Sequence, residues 1–133
     1  MKTGSKLALL AAVLFLLMAS ATFAADDGNT KPRFDSAAVF SGTSDIVNQS
    51  SVTGNVKGVA CHFASTSQAN LIFTVNGGTA QTLNLPGGFV DANGDRFTGW
   101  LPMNIRFTSS IRVQLQYASG GGQAECYVSW GLD

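Results

Sequence analysis

Three stretches in the second half of the chain place apolar side chains at every second position. They cover residues 101–107, 111–117 and 124–130. Successive side chains of a β-strand point to opposite faces, so this period gives each strand one apolar face. No stretch beyond residue 24 repeats its apolar residues with the 3.6-residue period of a helix. The sequence therefore predicts an all-β domain.

Further short stretches bring the number of predicted strands to about eight. They cover residues 36–41, 52–63, 69–75, 79–85 and 89–98. A sheet with one apolar face needs a second layer to cover that face. The sequence thus predicts a single antiparallel β-sandwich over residues 36–133, of jelly-roll or immunoglobulin-like type.

The stretch 52–63 changes phase partway along. Val56 occupies an even position, whereas Val59 and Phe63 occupy odd ones. Because a strand keeps its period of two, such a change requires one extra residue, a β-bulge. Glycine tolerates the distorted backbone of a bulge, so the bulge is predicted at Gly58.

The segment from Asp91 to Asp95 has two interpretations. Asn93-Gly94 is typical of a two-residue hairpin turn, which would place Asp91 opposite Arg96 as a cross-strand ion pair. Asp91, Asn93 and Asp95 also put oxygen atoms at alternate positions, as calcium-binding loops do. The other ligands of such a loop are missing from the sequence. The hairpin is therefore the preferred interpretation and a calcium site the weaker one.

Residues 1–24 have the composition of a secretory signal peptide. Two lysines precede an uninterrupted apolar run over residues 7–18, and small residues follow it up to Ala24. The run is shorter than the roughly 20 residues that a membrane-spanning helix needs. The sequence predicts cleavage after Ala24, a flexible segment over residues 25–35, and a secreted or periplasmic protein that is not held in the membrane.

Cys61 and Cys126 are the two cysteines of the chain. In an exported protein, an even number of cysteines indicates disulfides more often than a metal or catalytic site. Both cysteines share the phase of the apolar residues around them, so one buried disulfide is predicted. Trp130 has the phase of Cys126 and is expected to pack near the bond, with Trp100 as the alternative.

Charge and polarity limit the partners of the predicted domain. Residues 25–133 carry six basic and eight acidic side chains, with no basic stripe that a nucleic acid or an anionic membrane would require. Serine, threonine, asparagine and glutamine supply 34 of these 109 residues. A surface with few strongly hydrated charges suits a protein that assembles with its own copies, by strand addition or in a filament, or one that binds glycans.

The sequence contains no pattern that predicts catalysis or a cofactor. His62, the single histidine, adjoins Cys61, but neighbours on one strand point to opposite faces and the thiol is predicted to be oxidised. The chain also has no Gly-x-Ser-x-Gly motif and too few histidines and cysteines for a zinc or copper site. The two carboxylates of a glycoside hydrolase meet in the folded protein and need not be close in the sequence, so the sequence leaves this possibility open. The predicted members of such a pair are Asp45, Asp91, Asp95 and Glu125. The chain is predicted not to be an enzyme and to use no cofactor.

Trp100 follows Gly99 at a break between two phases, so its ring either lies exposed or caps one end of the core. An exposed tryptophan near Asn and Asp side chains is typical of sugar-stacking sites. Tyr127 and Arg112 occupy positions of their strands that are predicted to face solvent, and they are secondary predictions for a ligand contact. The leading interpretation is an exported, non-catalytic β-sandwich that acts by binding or self-assembly. A carbohydrate-binding module that uses Trp100 is the alternative, and a small secreted hydrolase ranks third.

Overall fold

The structure, a computed structural model, describes residues 30–64, 66–85 and 89–133, with side chains from Arg33 onward. Within these residues there is no helix, and hence none long and apolar enough to cross a membrane. The predicted signal peptide, its cleavage site and residues 25–29 lie outside the described residues. The described strands are β1 (Thr30–Val39), β2 (Thr43–Ser50), β3 (Gly54–Phe63), β4 (Gln68–Val75), β5 (Gln81–Asn84), β6 (Phe89–Val90), β7 (Arg96–Phe97), β8 (Leu101–Phe107), β9 (Ser110–Ser119) and β10 (Ala124–Leu132).

The ten strands form two antiparallel sheets that pack face to face. The six-stranded sheet has the order β1-β10-β3, with β8 paired to the first half of β3 and the β6–β7 hairpin paired to its end. The four-stranded sheet has the order β2-β9-β4-β5. When the short β6 and β7 are left out, the first strand pairs with the last, the second with the seventh, the third with the sixth and the fourth with the fifth. This nested pairing is that of a jelly roll, and the predicted β-sandwich is confirmed.

The apolar faces of the two sheets meet in one core, as the alternation predicts. Its largest fully buried side chains are Trp130, Phe63, Phe107, Leu71, Ile111 and Leu115. Complete burial of a large apolar side chain stabilises a fold by about 1.5–3 kcal/mol. The packing of these alternating positions is therefore the main source of stability.

The predicted bulge in β3 is confirmed at Gly58. Across from it on β10, Ser129 pairs with Gly58 and Trp130 with Val56, so Lys57 is the extra residue. The bulge shifts the phase of the strand so that residues on both sides of it point into the core. It also leaves Gly58 facing the outer surface of the six-stranded sheet, where the candidate site lies.

The first strand begins at Thr30, six residues earlier than the predicted boundary at Ser36. Thr30 and residues 33–35 are therefore paired with β10, although the sequence predicts them to be part of a flexible segment. The reason is a tertiary contact. Asp35 Oδ2 accepts a hydrogen bond from Trp130 Nε1 at 2.7 Å, and the Arg33 guanidinium lies 5.1 Å from the centre of the Trp130 ring.

The predicted register of the β6–β7 hairpin is wrong by one residue. Val90 pairs with Arg96, so the predicted Asp91–Arg96 ion pair across the strands is not formed. The N–H of Asp91 instead donates to the carbonyl of Asp95 at 2.9 Å, which closes a three-residue loop with Gly94 at a φ of +84°. Asp91 Oδ1 accepts the N–H groups of Asn93 and Asp95 at 2.8 and 3.0 Å. These two bonds favour the three-residue loop over the two-residue turn.

The predicted disulfide between Cys61 and Cys126 is present. The two residues face each other on neighbouring strands of one sheet, with a Cα–Cα distance of 4.1 Å and a sequence separation of 65. The bond therefore does not have the inter-sheet position found in immunoglobulin domains. It lies in the buried core together with Trp130, as predicted, whereas Trp100 is outside that core. A disulfide of this kind indicates a non-reducing environment.

The β4–β5 turn is joined to the β8–β9 turn through Asn76. Its Oδ1 atom accepts the N–H groups of Thr108 and Ser109 at 2.8 and 2.9 Å, and its own N–H donates to the Ser110 carbonyl at 2.9 Å. The φ of Asn76 is +53°, a conformation that asparagine tolerates better than most residues. One side chain thus satisfies the backbone of the turn that connects the two sheets.

We expect Asn76→Ala to lower the free energy of unfolding by about 1–3 kcal/mol, because two backbone donors lose their acceptor and alanine is strained at this φ. Asn76→Asp keeps an acceptor oxygen and should lose much less. Urea denaturation of both variants measures the difference. Equal stabilities for the two variants would show that the acceptor oxygen is unimportant.

Candidate binding face on the six-stranded sheet

Thr98 fixes the chain between β7 and β8 and so determines where the site begins. Its N–H donates to the Cys61 carbonyl at 3.0 Å, and its Oγ1 accepts the Cys61 N–H at 2.9 Å. Thr98 therefore acts as the hydrogen-bonding partner of Cys61 where β3 changes partner strands. The chain then turns away from the sheet edge at Gly99, whose φ of +68° favours glycine.

Trp100, the residue after this turn, lies against Gly58. A Cβ atom at Gly58 would be 2.3 Å from Cζ2 of the Trp100 ring, so the ring occupies space that only a glycine leaves free. Trp100 is 50% exposed and does not belong to the buried core. Of the two predicted possibilities, exposure on the surface is therefore the one observed.

A row of side chains crosses the outer surface of the same sheet. Phe89 pairs with Phe97, Phe97 with His62, and His62 with Glu125 on β10. The rings of His62 and Phe97 are stacked, with centroids 4.7 Å apart. Both phenylalanines are exposed. The row thus places two apolar rings beside an imidazole and a carboxylate.

Tyr127 follows Glu125 by two residues on β10 and shares its outward direction. A hydrogen bond with Glu125, reinforced by the negative charge of that carboxylate, raises the pKa of the Tyr127 hydroxyl above its ordinary value. Tyr127 is 44% exposed, and its cross-strand neighbour is the small Ala60. The Tyr127 hydroxyl and the Glu125 carboxylate thus lie on the same outer face of β10.

A cleft of about 320 Å³ lies among these side chains. It is lined by Ala60, Cys61, His62, Phe97, Gly99, Glu125 and Tyr127, with Trp100 following directly after Gly99. We call the surface formed by His62, Phe97, Trp100, Glu125 and Tyr127 the aromatic face. It combines three open aromatic rings with an imidazole, a carboxylate and a phenol hydroxyl.

The four carboxylates predicted for an acid pair are divided among three places. Asp95 and Glu125 lie at the aromatic face, where Asp95 Oδ2 is 3.4 Å from His62 Nε2 and Glu125 pairs with His62 across the strands. Asp91 is in the β6–β7 loop, and Asp45 is on the four-stranded sheet. Asp95 and Glu125 thus share His62 as a neighbour, whereas Asp91 is hydrogen-bonded to Asp95 within the loop.

Arg112, the third predicted contact residue, lies on β9 in the four-stranded sheet, away from the aromatic face. Its Nε and Nη2 atoms donate to the two carboxylate oxygens of Asp45 at 3.0 and 3.2 Å. The hydrogen bonds from Arg112 are the main reason that the pKa of Asp45 is lowered from its ordinary value. Arg112 is therefore engaged in an exposed ion pair on the other sheet, and the structure does not bring it together with Trp100 and Tyr127.

The residues of the weaker calcium interpretation lie in the β6–β7 loop. Asp91 Oδ1 already accepts two backbone N–H groups there, and Asp95 faces His62. Within the described ranges, no group of three or more His, Cys, Asp or Glu side chains is arranged to hold a metal ion. The backbone hydrogen bonds of Asp91 account for an aspartate at this position.

Sequence reasoning did not assign His62 and Phe97 to the contact surface. The sequence predicts only that His62 points away from Cys61, and the predicted hairpin register with Asp91 opposite Arg96 does not bring Phe97 opposite Phe89 as observed. The signal that could have identified the surface is Gly58. A glycine at a bulge, at a position that faces the outer surface of the sheet, leaves space for a neighbouring aromatic ring.

Comparisons with known proteins leave the chain without a family. No family model and no curated protein matches it. Among solved structures, it is similar to a chain described as "Structure of infectious bursal disease virus Gx strain". The two share 14% sequence identity with a TM-score of 0.35, and the match covers 77% of this chain and 32% of the viral chain. This likeness is too weak to support an argument, so the function must be inferred from the residues of the chain itself.

Proposed function

We propose that this protein is an exported, non-catalytic β-sandwich that acts by binding, and that a glycan is its ligand on the aromatic face. The observation that carries the proposal is the position of Trp100 and Tyr127. Both are exposed on the outer surface of one sheet, next to a cleft that contains His62 and Glu125. The sequence predicts Trp100 and Tyr127 separately; Trp100 lies against Gly58 and Tyr127 pairs with Ala60, two residues farther along β3, which supports a common site.

The chemistry of the aromatic face matches that of a sugar ring. A pyranose has C–H groups on its faces, and the electron-rich face of an aromatic ring attracts such groups. Its hydroxyl groups need hydrogen-bonding partners around the rim, which Glu125, His62 and the Tyr127 hydroxyl can provide. A volume of about 320 Å³ is at the lower end for small-ligand sites. The face therefore suits a short glycan segment better than a large protein partner.

We expect Trp100→Ala to weaken glycan binding by about tenfold or more, because tryptophan anchors of this kind dominate binding energies. A glycan array with the disulfide-bonded protein identifies the ligand, and isothermal titration calorimetry measures its affinity. Tyr127→Phe keeps the ring but loses the hydroxyl, so it should weaken binding by a smaller factor.

Arg112→Ala is the matched control. The Arg112 side chain is about as exposed as Trp100, at 48% against 50%, but it lies on the other sheet. This change should leave the affinity unchanged. An array without any bound glycan, or an affinity that Trp100→Ala does not change, would contradict the proposal. Release of reducing sugar from a bound glycan would instead assign Asp95 and Glu125 to a hydrolase.

Export is the second part of the proposal. The disulfide supports a compartment outside the reducing cytosol, and residues 1–24 have the pattern of a signal peptide. Expression of the full chain in a bacterial host, followed by mass spectrometry of the periplasmic and secreted fractions, tests both points. The expected mass is that of a chain beginning at Ala25 with one disulfide.

Self-assembly is the second candidate function, and the open edge of β1 is the observation that favours it. This ten-residue strand pairs with β10 on one side, and within the described chain no strand pairs with its other side. Such an edge can accept a strand from another copy. Light scattering at increasing concentration distinguishes this function, because a glycan-binding monomer keeps a constant mass.

A further inference from the structure

The cleft of the aromatic face is lined by a carboxylate and by no lysine or arginine side chain. The lining carboxylate is that of Glu125, which pairs across the strands with His62. The Nε2 atom of His62 lies 3.4 Å from Asp95 Oδ2. Two carboxylates thus adjoin one imidazole, and the sum of their charges is negative whether or not His62 is protonated. The charge at the cleft therefore favours a positively charged ligand group.

The described arginines of the six-stranded sheet do not compensate this charge. Arg96 directly precedes Phe97 on β7, so its side chain leaves the strand on the inner side, opposite to the aromatic face. Arg33 lies over the ring of the core tryptophan, which is also on the inner side. Arg106 pairs with Asp133. Each of these guanidinium groups is thus turned away from the cleft or paired with another carboxylate.

Lys57 and the undescribed side chains leave the sign of the charge unchanged. Lys57 is the extra residue of the bulge, five positions before His62 on β3, which is about 16 Å of strand. The internal residues that the structure does not describe are serine at 65 and Pro-Gly-Gly at 86–88, and none of them carries a charge. Lys31, whose side chain is not described, is at the start of β1 and so near the last residues of β10.

Aromatic rings around the cleft add a second attraction for a cation. Phe97, Trp100 and Tyr127 are exposed there. The ring of Phe89 lies close to the same turn, since a Cβ atom at Gly99 would be 3.5 Å from its Cε2 atom. The face of an aromatic ring attracts an ammonium group, and proteins bind such groups in cages of several rings. The aromatic face therefore suits an ammonium group as well as a sugar ring.

We propose that the glycan bound by the aromatic face carries a free amino group and is therefore an amino sugar. This inference rests on the glycan binding proposed above. The ammonium group lies beside Glu125, whose carboxylate can accept further hydrogen bonds in addition to that from Tyr127. The sugar ring stacks on Trp100. An acidic glycan would instead bring another negative charge to the cleft and be repelled.

Isothermal titration calorimetry of the disulfide-bonded protein with matched trisaccharides tests the proposal. The β-linked trimers of glucosamine, N-acetylglucosamine and glucose differ only in the substituent at one ring carbon, and a galacturonate trimer is the acidic probe. Just below neutral pH, where glucosamine is largely protonated, we expect its trimer to bind about tenfold or more tightly than the other trimers. Added sodium chloride should reduce this preference, because it screens the charges.

Equal affinities for the glucosamine and glucose trimers would overturn the proposal. So would tighter binding of the galacturonate trimer, or the absence of binding by the glucosamine trimer. A preference for glucosamine that added salt does not change would also contradict it, since the attraction would then not depend on charge.

Glu125→Gln keeps the size of the side chain and an acceptor oxygen but removes its charge. It should reduce the affinity for the glucosamine trimer to about that for the glucose trimer, and leave the latter nearly unchanged. Asp45→Asn is the matched control, because it removes the same charge on the four-stranded sheet. It should leave the preference intact. Equal effects of the two variants would show that only the overall charge of the protein matters, and the proposal would be wrong.

The experiment also separates this inference from the proposed function. If the glucose trimer binds as tightly as the glucosamine trimer and Trp100→Ala abolishes both, the glycan site stands and the amino group is not recognised. If glucosamine binding is lost in Glu125→Gln but survives in Trp100→Ala, the cationic group is recognised and the stacking role of Trp100 is rejected. Absence of binding by every glycan rejects both proposals.

Discussion

Replacing Cys61 and Cys126 together by alanine is expected to lower the free energy of unfolding by about 2–5 kcal/mol. The bond closes a loop of 65 positions and joins two central strands of the six-stranded sheet. Chain-entropy arguments alone give roughly 4 kcal/mol for a loop of this length. A domain of this size has only about 5–15 kcal/mol of net stability. Loss of the disulfide should therefore remove a large part of it.

Urea denaturation of the oxidised protein, the reduced protein and the double variant measures this effect. The reduced protein keeps both sulfur atoms, so its loss reports the cross-link alone. The double variant also loses the packing of two buried side chains. We expect the reduced form to lie between the other two in stability. A reduced protein as stable as the oxidised one, or two free thiols in protein from a non-reducing compartment, would contradict the structural role of the bond.

If the aromatic face binds a glycan as proposed, the reduced protein should still bind it at temperatures where the protein remains folded. Cys61 lines the cleft of the aromatic face, but its side chain points into the core. The outward rings are positioned by Thr98 and by the bulge at Gly58. Binding lost at a temperature where circular dichroism still shows the folded sheet would mean that the disulfide also shapes the site.

Trp130→Ala is expected to lower the free energy of unfolding by about 3–5 kcal/mol. Trp130 is 1% exposed, and its ring contacts the core on one side and β1 on the other. Removal of the indole leaves a cavity and takes away the hydrogen bond to Asp35. It also removes the contacts that Trp130 makes with Arg33 and Asp35 in the first half of β1. Hydrogen exchange should therefore show faster exchange in residues 33–35 than in the rest of the six-stranded sheet.

Trp100→Ala is the natural control for this experiment, because both changes remove a tryptophan. Trp100 is half exposed and rests on the surface of Gly58, so its loss should change stability by well under half the effect of Trp130→Ala. The expected outcome is a separation of roles: Trp130→Ala reduces stability and Trp100→Ala reduces glycan affinity. Equal losses of stability in the two variants would show that Trp100 is part of the fold.

Phase within a strand could be predicted from the sequence because it depends on local alternation. The positions of Val113 and Leu115, the inward cysteines and the bulge at Gly58 all follow from it. The period of two is imposed by backbone geometry, so no tertiary contact can alter it without an extra residue. The sandwich class follows in turn, because each strand has one face to bury.

Two errors arose where tertiary or side-chain hydrogen bonds decide the structure. Residues 30–35 have no apolar alternation, and they form a strand because Arg33 and Asp35 contact Trp130, which is distant in sequence. The loop around Asn93-Gly94 fits a two-residue and a three-residue turn equally well. The Asp91 carboxylate selects the longer one by accepting two backbone N–H groups.

The candidate site was predicted only in part for a related reason. The sequence puts Tyr127 and Arg112 on outward-facing positions and leaves Trp100 either exposed or capping the core, but the alternation does not say which sheet a strand joins. The nested strand order brings Trp100 and Tyr127 to one sheet and places Arg112 on the other.

The nested strand pairing also sets the order of events during synthesis. The edge of β10 that β1 needs and the thiol that Cys61 needs are both supplied by residues 124–132. Until that segment has been synthesised, earlier strands have their apolar faces uncovered and can associate with those of other copies. The interval between the first strand and the last is thus the period of greatest risk of aggregation. Slower delivery of the C-terminal segment should lower the yield of folded protein even when its final stability is unchanged.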